Sequence, residues 1–474
     1  MKDILKSYAQ LFTLSICFLV LLGCKAQEVP VIPNTPPVVI DPNLPNDKIW
    51  ITSKDGTQKL SATSAIKFPA DLVIESDFSP LQTIDGFGFT LTQGSAEALS
   101  VLSATQRAAF FKKAFVDDGI SVLRISVGAS DLSNSVYTYS PLSNDFTMEH
   151  FSFNGPDKQF LFPILNEILA LKPDIKILAT PWTAPVWMKT NNSYVGGKLK
   201  PENYEVYGQY LVKYIQEMEK LGFKIWALTP QNEPENPNNE PSMLMAAAEQ
   251  VEFVNKALGP LFQKNNIKTK IIAFDHNCDH PEYPIYVLNN SSFVSGAAFH
   301  LYGGDIKAMS EVHDKTQKDV YFTEQFTSSK GDFGGDLAWH MQNVVIGSTN
   351  NWAKAVLEWN FATDEKFGPK TSGGCSECLG AVTVKSNGEL IFNVSYYIIA
   401  QIAKFVSPGA VRIKLKQASD IPQVVFKNPD GSIAVLVLNN SNSTRKIRFS
   451  TQSPDYSYQL RAGEVGTIFI PASK

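Results

Sequence analysis

The sequence predicts an α/β fold: a (β/α)8 barrel with a β-sandwich side domain built from both termini. Eight short apolar or β-branched runs alternate with amphipathic stretches over residues 79–408. Continuous apolar runs of that length suit strands buried on both faces of a parallel sheet. Residues 46–78 and 409–474 change to period-two alternation around Asp-Gly turns, the pattern of antiparallel hairpins. With 44% hydrophobic and 19% charged residues among 474, the chain has ample apolar surface for a large core. Lys+Arg 42 against Asp+Glu 46 leaves a net charge of -4, which argues against nucleic acid as a partner.

At the amino terminus (residues 1–24), Lys2 and Lys6 precede an apolar run from Leu11 to Leu22, the order of an export signal. The run falls short of the ~20 clean apolar residues of a spanning helix. Its Leu21-Leu22-Gly23-Cys24 ending resembles a bacterial lipobox. That resemblance implies signal removal, a lipid on the Cys24 sulfur and an exported, membrane-anchored lipoprotein. Residues 25–45 are too dense in proline for a helix or a central strand and read as a semi-rigid tether.

The eight barrel strands are placed at Thr83 to Phe89, Ser121 to Ser126, Ile175 to Thr180, Lys224 to Thr229, Lys270 to Asp275, Gly296 to His300, Val320 to Thr323 and Ala355 to Trp359. Amphipathic helices are expected at Ala104 to Asp117 and Tyr204 to Leu221. No Gly-rich phosphate turn follows any strand, so a doubly wound nucleotide-binding sheet has no anchor.

In such a barrel the reacting groups sit just past the carboxyl ends of the strands. Glu233, in Ala227-Leu228-Thr229-Pro230-Gln231-Asn232-Glu233-Pro234, follows the fourth strand, and Glu324, in Val320-Tyr321-Phe322-Thr323-Glu324-Gln325, follows the seventh. Two carboxyls facing each other across the axis are what glycoside hydrolysis requires, one to protonate the leaving oxygen and one to attack the anomeric carbon or activate water.

Two further constellations stand out. Asp275-His276-Asn277-Cys278-Asp279-His280 has metal-ligand residue types but no defined ligand spacing, and reads as a polar rim after the fifth strand. No metal or cofactor is implied. With Cys17 and Cys24 in the export segment, only Cys278, Cys375 and Cys378 remain, too few for a disulfide scaffold. In an exported chain a small structural disulfide between Cys375 and Cys378 is favoured over zinc or redox work.

The motifs together resemble glycoside hydrolase family 30. They are Ile84-Asp85-Gly86-Phe87-Gly88, Leu123-Arg124-Ile125-Ser126 with Asp131, the run from Thr180 to Thr190, the Asn232-Glu233-Pro234 turn, Phe299-His300-Leu301-Tyr302, Phe322-Thr323-Glu324 and Glu358-Trp359-Asn360. The resemblance implies a retaining mechanism with Glu233 as general acid/base and Glu324 as nucleophile, and Asn232 on the hydroxyl beside the reacting carbon. It implies that Asp131, Trp182 and Trp359 grip the sugar, and that His300 and Tyr302 lie at the site, able to hold Glu324 by a hydrogen bond. Arg124 becomes a buried support for the carboxylates, while Trp187 and Trp226 are left to the core. Glu233 should be desolvated or beside a like charge so that it keeps its proton, and Glu324 should stay ionised.

The Gly-Gly-Cys-x-x-Cys loop at 373–378 resembles the subgroup that cuts β-1,6-linked glucan more than the ceramide-lipid or xylan branches. The implied partner is a β-glucan, acted on by a monomer. A β-glucoside, glucosylceramide or xylan substrate, or a noncatalytic surface glycan-binding lipoprotein, are the alternatives.

Overall fold

The computed structural model describes residues 48–153, 155–416 and 420–472. The export segment, Cys24 and the tether lie outside the described residues. Among the described residues no helix is long and apolar enough to cross a membrane.

Eight parallel strands close into a barrel in chain order: β1 (Gly86–Thr90), β2 (Val122–Ser126), β3 (Lys176–Thr180), β4 (Ile225–Leu228), β5 (Lys270–Cys278), β6 (Val294–Gly304), β7 (Asp319–Glu324) and β8 (Ala353–Asn360). Each of the eight runs read from the sequence supplies one of them. β1 starts at Gly86 rather than Thr83 because Thr83 ends a strand of the side domain, Ser76–Thr83, paired with Val411–Leu415. This pairing carries the amino-terminal part of the side domain past the expected boundary at residue 78. Gly88 is required where β1 meets β2: a Cβ there would lie 1.8 Å from the Val122 carbonyl oxygen.

The barrel interior is layered by strand alternation. Val122, Leu178, Ala227, Ala298, Tyr321 and Leu357 form part of an apolar layer. Two residues further along the same strands stand Arg124, Thr180, Thr229, His300, Thr323 and Trp359, all buried. The apolar layer is thus the floor of a polar one at the carboxyl ends of the strands. Trp226, expected in the core, is only half-buried: Tyr321 packs on it edge-on and the Lys176 and Lys270 ammonium groups lie 5.2 and 5.3 Å from its ring. Trp187 is buried and donates from Nε1 to the Ser140 carbonyl.

The expected helices are present. Ala104–Phe111 opens with a capping box between Ser103 and Gln106 and continues as a wider turn, Lys112–Asp117. Its Phe110, Phe111, Ala114 and Phe115 are buried at helical spacing. Tyr204–Lys220 buries Tyr207, Tyr210, Leu211 and Tyr214 in the same manner.

Both ends of the described chain share one seven-stranded sheet. Its order is Ser61–Ser64, Lys48–Thr52, Val465–Ile470, Ile433–Leu438, Gln423–Lys427, Val411–Leu415 and Ser76–Thr83. A second sheet adds Leu72–Ile74 beside Arg445–Phe449 and Tyr458–Leu460. The side domain is fastened to the barrel by the buried Gln401, which accepts from Thr52 Oγ1 and donates to the Trp50 carbonyl and to Thr467 Oγ1.

Candidate active site

The polar layer converges on Arg124, which is fully buried. Its Nη1 donates to Glu324 Oε2 at 2.5 Å, and its Nη2 to Asn232 Oδ1 at 2.6 Å and to Asp275 Oδ2 at 2.9 Å. Trp182 and Trp359 stack on its guanidinium, 4.8 and 5.8 Å from the ring centroids. A buried cation of this kind is tolerated only because anions and hydrogen bonds surround it. Taking up Asn232 Oδ1 also fixes that amide, so Nδ2 remains as its donor.

Asp275 opens the segment that the sequence assigns to a rim after β5, but it is fully buried within the strand. Its oxygens accept from Arg124 Nη2, Thr229 Oγ1, Thr323 Oγ1 and His300 Nε2. Simple alternation fails here. Ile272 faces the barrel interior, yet Phe274 and Asp275 both take left-handed φ values (71° and 66°) and the register against β6 shifts. The resulting bulge swings Asp275 inward. Its charged neighbours outweigh burial and hold its carboxyl well below the usual range. His276 and Asn277, by contrast, line the cleft.

Glu233 also sits on strained backbone, with φ of 44°, and its N–H donates to the Asp275 carbonyl. Oε1 faces His300 Nδ1 at 3.3 Å, and Oε2 accepts from Asn236 Nδ2 at 2.8 Å. Glu324 accepts from Arg124 and, through Oε1, from the Tyr302 hydroxyl at 3.0 Å. His300 therefore bonds Glu233 and not Glu324, from which its Nδ1 is 3.8 Å away. Being fully buried, it offers no surface to a sugar, whereas Tyr302 is partly open to solvent.

The resting electrostatics invert the expected order. Burial pushes Glu233 up, but the hydrogen bond and charge of His300 prevail and leave its carboxyl lowered. Glu324 is raised by burial, which His300 and Arg124 offset only in part. His300 is disfavoured as a cation by burial, yet Glu324, Asp275 and Glu233 raise it to about 9.

A cavity of about 500 Å³ opens above these groups at the carboxyl ends of the strands. Besides Glu233, Glu324 and Tyr302 it is lined by Asp131, Glu235, His276, Asn277, Phe326, Trp359, Cys375, Cys378 and the 236–239 segment, which includes Pro237. Trp182 is buried and packed against Trp359 at 5.6 Å, and of these two indoles only Trp359 lines the cavity. Cys375 and Cys378 are joined by a disulfide. Their loop is fastened to neighbouring loops by Ser372 and Gly373 donating to the Glu240 carboxylate and by Cys378 pairing with Ser328.

Asp131 is buried, and its Oδ1 has no hydrogen-bond partner among the described residues. Burial, then the charges of Glu324 and Glu233, push its carboxyl up to about 7. A raised folded-state value means that the folded chain binds the proton more tightly than the unfolded chain between about pH 4 and 7, so this group costs stability as pH rises through that window. Asp131→Asn is expected to raise Tm over the parent by an amount near zero at pH 4 that grows to pH 8. An equal gain at both pH values would contradict this.

Glu233, His300 and Glu324 are also a group, among the described residues, whose donor atoms lie within 4.8 Å of one another, near enough to hold a metal ion. Each of these side chains already has hydrogen-bond partners within the site. Besides Asp275, the sequence reading missed Thr180, Thr229, Thr323 and Asn236. The three threonines follow inward-facing apolar residues by two positions, a signal already present in the alternation that marked the strands.

Residues 84–406 match the glycosyl hydrolase family 30 TIM-barrel domain, and residues 409–468 its β-sandwich domain. The chain is 33% identical over 426 residues to the endo-1,6-β-D-glucanase neg1 of Aspergillus fumigatus, covering 83% of this chain and 86% of that one. It is 31% identical over 422 residues to a putative glucosylceramidase 2 of Caenorhabditis elegans, covering 82% and 81%. Among solved structures, the endo-β1,6-glucanase BT3312 superposes with a TM-score of 0.85 at 35% identity, over 90% of this chain and all of that one. With its barrel and sandwich both matched, and two carboxyls facing each other at the barrel mouth, the chain belongs to glycosyl hydrolase family 30.

Proposed function

We propose that this chain is an exported, lipid-anchored, retaining endo-β-1,6-glucanase, with Glu324 as nucleophile and Glu233 as general acid/base. The observation that carries the mechanism is the spacing of the two carboxyls: an oxygen of Glu233 and an oxygen of Glu324 lie within 4.8 Å. Direct attack goes with carboxyls ~5 to 5.5 Å apart, whereas an inverting pair needs ~6.5 to 9.5 Å to admit water.

Arg124 and Tyr302 orient Glu324 and favour its ionised form as it attacks the anomeric carbon. Glu233 protonates the departing oxygen, then takes a proton from the water that releases the glycosyl-enzyme. Asn232 Nδ2, fixed by Arg124, serves the adjacent hydroxyl, and Asp131 Oδ1 gains a partner from the bound sugar.

The leaving group lies on the side of the proton donor, so residues clustered about Glu233 line its path. Among the cavity residues, Asn236 donates to Glu233 Oε2 and His276 interacts with its charge, polar surroundings that favour a sugar over a lipid chain as the departing group. The β-1,6 linkage rests on the named activities of the similar glucanases and on the Cys375–Cys378 loop. Export and anchoring rest on the sequence through Cys24.

The test is incubation of the purified chain with β-1,6-glucan, β-1,3-glucan, xylan and an aryl β-glucoside, following product length. Oligosaccharides from β-1,6-glucan alone are expected. Release of monosaccharide from the aryl glucoside alone would overturn the assignment.

A further inference from the structure

We infer that Glu233 and His300 together hold the one proton that acid catalysis consumes, with Asp275 fixing which imidazole nitrogen faces the carboxyl. The inference rests on Glu233 being the acid/base, and it follows from donor and acceptor accounting in the hydrogen-bond network.

Asp275 is surrounded by donors. Arg124 cannot give up its charge, and Thr229 and Thr323 present hydroxyls. An ionised Asp275 accepts only, so His300 Nε2, 3.0 Å from Oδ1, must carry hydrogen. The other nitrogen, Nδ1, is 3.3 Å from Glu233 Oε1. If Nδ1 bears hydrogen, His300 is a cation donating to a Glu233 carboxylate. If it does not, its lone pair faces Oε1, and Glu233 must be the acid that donates. Either arrangement places a single proton in that contact, and the two interconvert as one N–H bond breaks and one O–H bond forms.

The groups around His300 set the balance. Glu233 follows β4, Asp275 lies on β5, Glu324 on β7 and Arg124 on β2. Tyr302, on the same strand as His300, lies 6.0 Å away ring to ring, and the Cys278 thiol at the end of β5 donates to the His300 carbonyl. His276 adds a weaker charge interaction. In the resting protein the anions favour the proton on His300, which accounts for the lowered Glu233.

Transfer of the proton to Glu233 precedes or accompanies its donation to the leaving oxygen. Glu233 is then a carboxylate opposite the Nδ1 lone pair, an arrangement that strengthens it as a base. When water attacks the glycosyl-enzyme, the water's proton returns to the pair. His300 is thus a positioning residue, acting on substrate only through Glu233, and the pair titrates as a unit.

The test compares His300→Asn with Glu233→Gln on two substrates: β-1,6-glucan, whose alkoxide leaving group needs a proton, and the 2,4-dinitrophenyl β-glucoside of a β-1,6-linked glucan oligosaccharide, whose leaving group does not. His300→Asn keeps a donor toward Glu233 but no transferable proton. It is expected to lose about 100-fold in kcat/KM on glucan, at least about tenfold more than on the activated glucoside, and to shift the basic limb of the glucan profile to lower pH. Equal losses on both substrates, or an unmoved basic limb, would overturn the inference.

Glu233→Gln separates this result from failure of the acid/base reading. If Glu233→Gln loses both substrates equally, Glu233 is not the acid. If it splits them while His300→Asn does not, only the shared proton is refuted. Should His300→Asn fail to fold, ¹⁵N spectra of the histidine rings in the unaltered protein decide. His300 must lose one ring proton at the pH of the basic limb, and a ring that stays neutral or titrates elsewhere overturns the inference.

Discussion

Glu324→Ala is expected to lower kcat on β-1,6-glucan by about 10⁴-fold or more, while glucan binding persists and the fold survives. The large effect follows from removing the group that forms the covalent intermediate. Without it the remaining residues can still bind and protonate, but attack must come from unassisted water. The fold is expected to tolerate the change because Arg124 keeps Asp275 and Asn232 as partners and Tyr302, partly open to water, can be solvated where it donated to Glu324. Turnover by stopped assay and binding by affinity electrophoresis in glucan gels measure the two halves. Turnover within about tenfold of the parent would show that Glu324 is not the nucleophile. Binding without turnover in the unaltered protein would make it a glycan-binding protein and not an enzyme.

The second large effect is expected at Arg124. Arg124→Leu removes the cation between two buried carboxylates, Asp275 and Glu324. Breaking a buried ion pair from one side leaves uncompensated charge and costs about 3 to 5 kcal/mol, so a marked fall in Tm is expected. The catalytic consequence has a definite sign. Burial already raises the Glu324 carboxyl and Arg124 opposes it, so without Arg124 the carboxyl needs a higher pH to ionise and the acidic limb of kcat/KM moves up. Arg124→Lys is expected to recover part of the stability but little of the geometry, since an ammonium cannot reproduce the planar fork that reaches Glu324, Asn232 and Asp275 together. Thermal denaturation and a pH profile of each variant check both statements, and an unmoved acidic limb in a folded Arg124→Leu protein would contradict them.

Much of this architecture was legible because each feature follows from a local rule. Parallel strands covered on both faces are mostly apolar, so Val122–Ser126 and Ala353–Asn360 stand out even though they carry Arg124 and Glu358. Residues at or just past the carboxyl ends of strands face the barrel mouth, which makes Glu324 and Glu233 legible. Asp275 was not legible because the two left-handed residues at 274 and 275 break the alternation, and neither is glycine, the residue that would have advertised such a bend.

The partner of His300 was equally hidden. It stands on β6 between β5 and β7, with Glu233 and Glu324 both within 4 Å of its Nδ1, and only the packed ring orientation decides between them. That choice reversed the proton affinities expected from sequence, because a cation placed beside Glu233 does what a like charge would not. The Cys375–Cys378 loop shows the same limit. Its chemistry was readable, but its attachment to Glu240 and Ser328, brought close only by folding, was not.

The most direct measurement of the central claim is the anomeric configuration of the first product released from a β-1,6-linked glucan oligosaccharide, read by ¹H NMR before mutarotation. Two carboxyls this close predict the β-anomer through double displacement. Initial release of the α-anomer would mean single displacement by water and would contradict the account.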